Sequence, residues 1–332
     1  MSRKSKIALA CALMLGAAGP IAAGMGGAVA QEAQPNVRMA RELVAAASAF
    51  ETYTRTAGAI APGFAGPRDV AGAVNVGASH DPQQLEAGMI AYAAMAALQD
   101  RAFVEGVQRV VADDRARDTM VQRLNYNPET AMELPGAEGA AARARAALLR
   151  QIEPLIADGR RVKQAAYDIQ HKPWSKAFVL DGRERLAMVK QLSARPFSPT
   201  ETDATRLYQA VSARTEGRAA ATPSPVVMRG LALAALAIAD QAGDENSDAL
   251  RPLLTEARSA SCVRLAKLNL FQCMAVAGPH YEDVFCLGEH AMIEPGQCMA
   301  SAAGAEAPPR SVQTAQAGSL LIPIAGVPAG ER

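Results

Sequence analysis

Four cysteines, Cys262, Cys273, Cys286 and Cys298, fall in one stretch near the C-terminal end of the chain, and two of the four histidines, His280 and His290, lie among them. Thiolate with imidazole is zinc chemistry, but the C-x10-C, C-x12-C and C-x3-H spacings match no zinc-ligand pattern, so no metal or other cofactor is expected. The remaining use of the sulfurs is disulfide bonding, for which four cysteines allow three pairings. Cys262 and Cys273 share a helical stripe with Ala266, Asn269 and Val276, at alternating spacings of four and three. A bridge between these two is excluded, because eleven helical residues rise about 16 Å and a disulfide holds its Cα atoms roughly 4.4–6.8 Å apart. Nesting Cys262 with Cys298 and Cys273 with Cys286 places both pairs almost symmetrically about a turn at Gly278-Pro279, whereas the crossed pairing fits no single register. Nested bridges across a helical hairpin spanning residues 252–303 are therefore expected. Pro295-Gly296 should break the second limb near residue 292 and re-aim Cys298.

A second group of polar residues surrounds the only tryptophan, in Tyr167-Asp168-Ile169-Gln170-His171-Lys172-Pro173-Trp174-Ser175-Lys176. An indole beside Lys and His forms a stacking shelf for a ligand or an anchor for a partner. Asp168, His171, Lys172 and Trp174 are thus candidate contacts. Charge marks a third: residues 141–195 hold twelve Lys or Arg against five Asp or Glu. Arg160, Arg161 and Lys163 at its centre are candidate contacts to an anionic partner. Catalytic signatures are missing from the sequence: there is no G-x-S-x-G, H-E-x-x-H, P-loop or haem-binding C-x-x-C-H. His80 and His171 lie beside helix ends and His280 and His290 beside hairpin turns, so none is assigned a catalytic role.

Residues 1–30 carry Arg3, Lys4 and Lys6, an apolar run, and Ala28-Val29-Ala30 before Gln31. This is the pattern of a cleaved secretory signal, with Cys11 discarded in it. The expected compartment is a periplasm, where disulfides form and nucleic acid is no partner. Removal of the three leader cations takes the formal charge from +1 to about −2, which selects no partner class.

The elements that must position these residues read as helices, and the expected fold is all-α: a multi-helix bundle over residues 31–304 with the hairpin at its end. Half of the residues are hydrophobic but only 4% aromatic, so the core must be close-packed Ala, Leu, Val and Met. Helices are expected over residues 36–56, from an Asp81 cap with Gln84 as its capping-box partner to 111 as one helix or a close pair joined near Asp100, and over 114–124. Others are expected over 140–170 with a kink at Pro154, from Asp181 to 193, from Ser198 or Thr200 to 214, and from Ser224 to 243. Residues 58–78, rich in Gly and Pro, read as a long connection, and 305–332 as a disordered tail broken by the apolar Leu320-Leu321-Ile322-Pro323-Ile324. No stretch after the leader reaches the roughly 20 apolar residues of a membrane span.

The function these features suggest is a non-enzymatic interaction or envelope-structure role, with an envelope protein or anionic envelope component as partner. A periplasmic enzyme such as a hydrolase, or a small-ligand carrier, is the alternative. Those alternatives require Asp168, His171, Trp174, His280 and His290 to converge in one cavity.

Overall fold

A computed structural model describes residues 37–213, 215 and 222–305. The expected leader and the expected cleavage site before Gln31, and residues 306–332 with the apolar segment 320–324, lie outside the described residues. Those described are helical, with no strand among them beyond one isolated bridge between Phe178 and Pro279. In order they form α1 (Arg41–Gly58), α2 (Pro67–Ala78), α3 (Pro82–Ala97), α4 (Arg101–Val111), α5 (Asp114–Tyr126), α6 (Ala137–Ile169) and α7 (Pro173–Lys176). Then follow α8 (Gly182–Ser193), α9 (Glu201–Ser212), α10 (Pro225–Ile238), α11 (Ser247–Leu250), α12 (Ala257–Val276), α13 (His280–Gly288) and α14 (Glu294–Ala302). No helix of the described residues is long and apolar enough to cross a membrane.

Local chemistry explains most boundaries. Asp81, Asp100, Asp113 and Ser224 each accept a main-chain N–H of the helix they open, which satisfies a donor that has no partner within the helix. Thr200 and Asp203 form a reciprocal capping box. At α3 the expected box is half formed: Gln84 turns away from Asp81 and pairs with both main-chain groups of Phe197, at 2.6 and 2.8 Å. The expected connection over residues 58–78 is also corrected, because α2 occupies its second half. Pro67 stands in the first turn of α2, Asp69 accepts from the N–H of Ala65 at 2.9 Å, and Val70 and Val74 are buried. Pro154 lies inside α6, which continues through it to Ile169.

The centre of the molecule is the pair α3 and α10, apolar on every side and almost wholly buried. Small residues let the backbones approach. A Cβ on Gly88 would meet the carbonyl of Ala46 in α1, and one on Gly230 would lie 2.7 Å from Ala93 Cβ in α3. Between α6 and the returning limb of the hairpin, a Cβ on Gly288 would sit 2.5 Å from the main-chain N of Lys163. Farther along, Gly159 faces Met292, Gly296 faces Ile156 and Gly304 faces Arg145, so this limb runs antiparallel to α6. Close backbone packing is how a chain with few aromatics fills its core.

The hairpin carries the nested bridges. Cys262 is joined to Cys298 and Cys273 to Cys286, with Cα atoms 5.6 and 5.7 Å apart. Its second limb differs from the expected break at Pro295. Between α13 and α14 the helix continues through a π turn, Glu289–Ile293. A π turn takes up about one extra residue, so the twelve steps from Cys286 to Cys298 rotate like roughly eleven and leave about 20° instead of about 120° between them. Pro295 has no N–H for the carbonyl four residues back. That carbonyl, of Ala291, accepts instead from the buried Tyr53 hydroxyl at 2.5 Å.

Candidate functional site

The tip of the hairpin meets the end of α6 and the strip that follows α7. Val179 N–H donates to Gly278 O at 2.9 Å and His280 N–H to Ala177 O at 3.3 Å. A Cβ on Gly278 would lie 2.6 Å from the Phe178 ring, so a larger residue at the turn would push that ring aside. Arg185 of α8 grips the junction, with two contacts to the Asp283 carboxylate at 2.7 and 2.8 Å and donations to the carbonyls of Met274 and Ala277. These are terminal carbonyls of α12, where a cation is favoured. Burial pushes the Asp283 carboxyl up to about 6, against the pull of the Arg185 guanidinium. His280 is held below its ordinary value by burial, with the Arg185 charge adding to it.

Beside this junction lies a groove of about 470 Å³. Tyr167 and Gln170 come from the last turn of α6, Cys273 and Val276 from the end of α12, and Tyr281, Glu282, Phe285 and Cys286 from α13. Tyr167 and Phe285 meet edge to face, 6.2 Å between centroids, and Lys163 Nζ lies 5.1 Å from the Phe285 centroid while pairing with Glu289 at 2.8 Å. Trp174 packs near His280, 6.5 Å between centroids. Val276 is 83% exposed and Phe178 72%. Five of the chain's fourteen aromatics (Tyr167, Trp174, Phe178, Tyr281 and Phe285) thus gather at one end of the bundle. The one charged group lining the groove is Glu282, whose carboxylate accepts from Gly278 N–H at 2.8 Å.

Of the residues singled out in the sequence, Trp174 and Lys163 reach this region. Asp168, His171 and Lys172 are exposed, and Asp168 accepts from Gln164 of its own helix. Arg160 is exposed and Arg161 pairs with Asp158. His290 lies 3.0 Å from Glu294. Asp168, His171, His280 and His290 do not line a common cavity among those described. Part of the basic block is engaged within the fold: Arg145 binds Gly304 O, Arg150 binds Ala210 O, Lys163 pairs with Glu289 and Arg185 with Asp283. Among the described residues no group of three or more His, Cys, Asp or Glu is placed to hold a metal ion.

A second polar centre escaped the sequence reading. Lys267 of α12 is 3% exposed, and its Nζ lies 3.0 Å from Ala78 O, 3.2 Å from His80 Nδ1 and 3.3 Å from Ser193 Oγ. Burial drives the Lys267 amine well below its ordinary value and His80 well below its own, with Lys267 adding to the latter. A serine beside a lysine of lowered proton affinity is a nucleophile–base pairing, so this is where an enzymatic reading has to stand. The geometry opposes it. Ser193 Oγ donates toward Val189 O at 2.7 Å and Ala78 O at 3.0 Å, is itself buried, and does not line the adjoining 210 Å³ cavity bounded by Tyr53, His80, Asp81, Gln84 and Phe197. The cluster joins the ends of α2 and α8 to α12. A remaining cavity of about 420 Å³ beside α5 is lined by Asp113, Arg115, Arg123 and Glu133, the last two paired at 2.5 Å.

No protein-family model, curated protein or solved structure matches the chain.

Proposed function

We propose that this chain is an exported helical interaction protein of the periplasm, without catalytic activity of its own, that binds a partner through the aromatic groove at the hairpin tip. The observation that carries the reading is the concentration of partly exposed aromatics around an open apolar groove in a chain otherwise poor in them. Exposed apolar patches of this kind mark interaction sites, and aromatic anchors dominate interface energetics. The nested disulfides fix the tip and fit an oxidising compartment. An anionic component of the envelope would meet exposed cations of the basic block such as Arg160.

Val276 and Tyr126 are both exposed, 83% and 93%, so charge at either leaves the fold intact. Val276→Asp is expected to remove co-purifying partners from periplasmic extract, and Tyr126→Asp to retain them. Equal recovery with both variants refutes the groove. Export itself is read from the mature N-terminus, expected at Gln31; an N-terminus at Met1 refutes it.

A further inference from the structure

We propose that the groove is covered, in the free protein, by this chain's own apolar segment, residues 320–324, so that a partner must displace it. The inference rests on the groove being the binding surface and names its resident occupant. Leu320-Leu321-Ile322-Pro323-Ile324 sits in a run without charge from Ser311 to Gly330. The groove matches it, since its one charged group, Glu282, is already hydrogen-bonded, whereas the two other cavities described carry Asp, Arg, Glu or His on their walls. Aromatic-lined grooves also suit extended segments containing proline, which give up little entropy on docking.

The tether reaches. The described chain ends at Ala305, beside Gly304, whose carbonyl is held by Arg145 in the first half of α6. The groove lies at the opposite end of α6, and the nearly continuous helix from Cys286 to Ala305 covers about 30 Å. The fifteen residues from Ala305 to Leu320 extend to about 50 Å, enough to double back along that length with slack. A segment tethered in this way is present at an effective concentration on the order of mM, so a docking affinity of order 0.1 mM keeps the groove mostly covered.

The test uses the full purified chain with the photo-cross-linker p-benzoylphenylalanine in place of Val276, irradiated at high dilution and digested with trypsin. The expected product has monomer mass and joins the Val276 peptide to the peptide from Ser311 to Arg332. In the double variant Leu321→Asp, Ile322→Asp its yield falls at least about tenfold, because two charges would have to enter an apolar groove. A product of dimer mass, a link to any other part of the chain, or no link overturns the proposal. The groove itself is judged separately, by co-purification with the double variant. Partners retained there and lost with Val276→Asp leave the binding surface standing without the tail, and partners lost from neither variant remove both.

Discussion

Replacing Lys267 by Met tests the physical account of the buried junction. The amine is 3% exposed, and burial lowers its proton affinity well below the ordinary value of 10.5. Between its native pKa and 10.5 the unfolded chain therefore binds one more proton than the native chain. Stability then rises with pH across that window by up to about 1.4 kcal/mol per unit. The cost of burying the amine accumulates as pH falls from 10.5 and levels off below the native pKa. His80, lowered well below 6.5, contributes with the same sign on the acid side of 6.5. Met approximates the length of the lysine stem; Ala78 O then shares the single Ser193 hydroxyl proton with Val189 O, and the His80 Nδ1–H donation to Gly77 O at 3.2 Å is untouched. Removing a group whose charged form is penalised by burial is expected to raise stability at neutral pH. Urea unfolding of both proteins at pH 7, 8, 9 and 10 supplies the comparison, a window above the ordinary value of His80, whose titration is coupled to Lys267 and would not cancel below it. The variant is expected to be the more stable at pH 7, with its advantage shrinking toward pH 10. A difference that does not change with pH would mean that the lysine keeps its ordinary pKa in the fold, and the reasoning would fail.

Three further outcomes follow from named contacts. Chain-entropy reasoning gives about 3.8 kcal/mol for the outer bridge, whose cysteines are 36 residues apart, and about 2.9 for the inner one at 13, so Cys298→Ser should lower the unfolding midpoint more than Cys273→Ser; the reverse order in denaturant melts would contradict the nested account. Gly288→Ala places a methyl against the Lys163 backbone and should cost roughly 3 kcal/mol, while Gly72→Ala, which meets nothing within 4 Å, should gain about 0.5–1 kcal/mol in helix propensity; similar effects on Tm at both sites would argue against close backbone packing. Tyr53→Phe leaves Ala291 O without its donor and should cost about 1–3 kcal/mol, measured by calorimetry, and a silent substitution would show that the π turn needs no such support.

The sequence made the hairpin legible because the symmetric placement of its cysteines about Gly278-Pro279 is a property of the chain alone. Helix α2 was hidden by Gly72 and Gly77, which read as loop residues; what holds it is the tertiary burial of Val70 and Val74. The π turn has no local signature beyond Pro295, since its cause is the supply of a distant hydroxyl from Tyr53. Lys267 carried a usable signal, a cation three and four residues from Leu270 and Val263 on the buried face of α12, but the cysteine stripe drew attention to the neighbouring face. Trp174 stood out by its rarity. Its meeting with His280, and that of Tyr167 with Phe285, joins residues more than a hundred positions apart, which no local pattern specifies.

The groove's role is tested most directly by scanning a photo-cross-linker over the protein in living cells, at Tyr167, Val276 and Tyr281 within the groove and at Tyr126 away from it, in chains carrying Ile322→Asp. The account predicts one common adduct from all three groove positions and none from Tyr126. Different adducts at each groove position, or the same adduct from Tyr126, would contradict it.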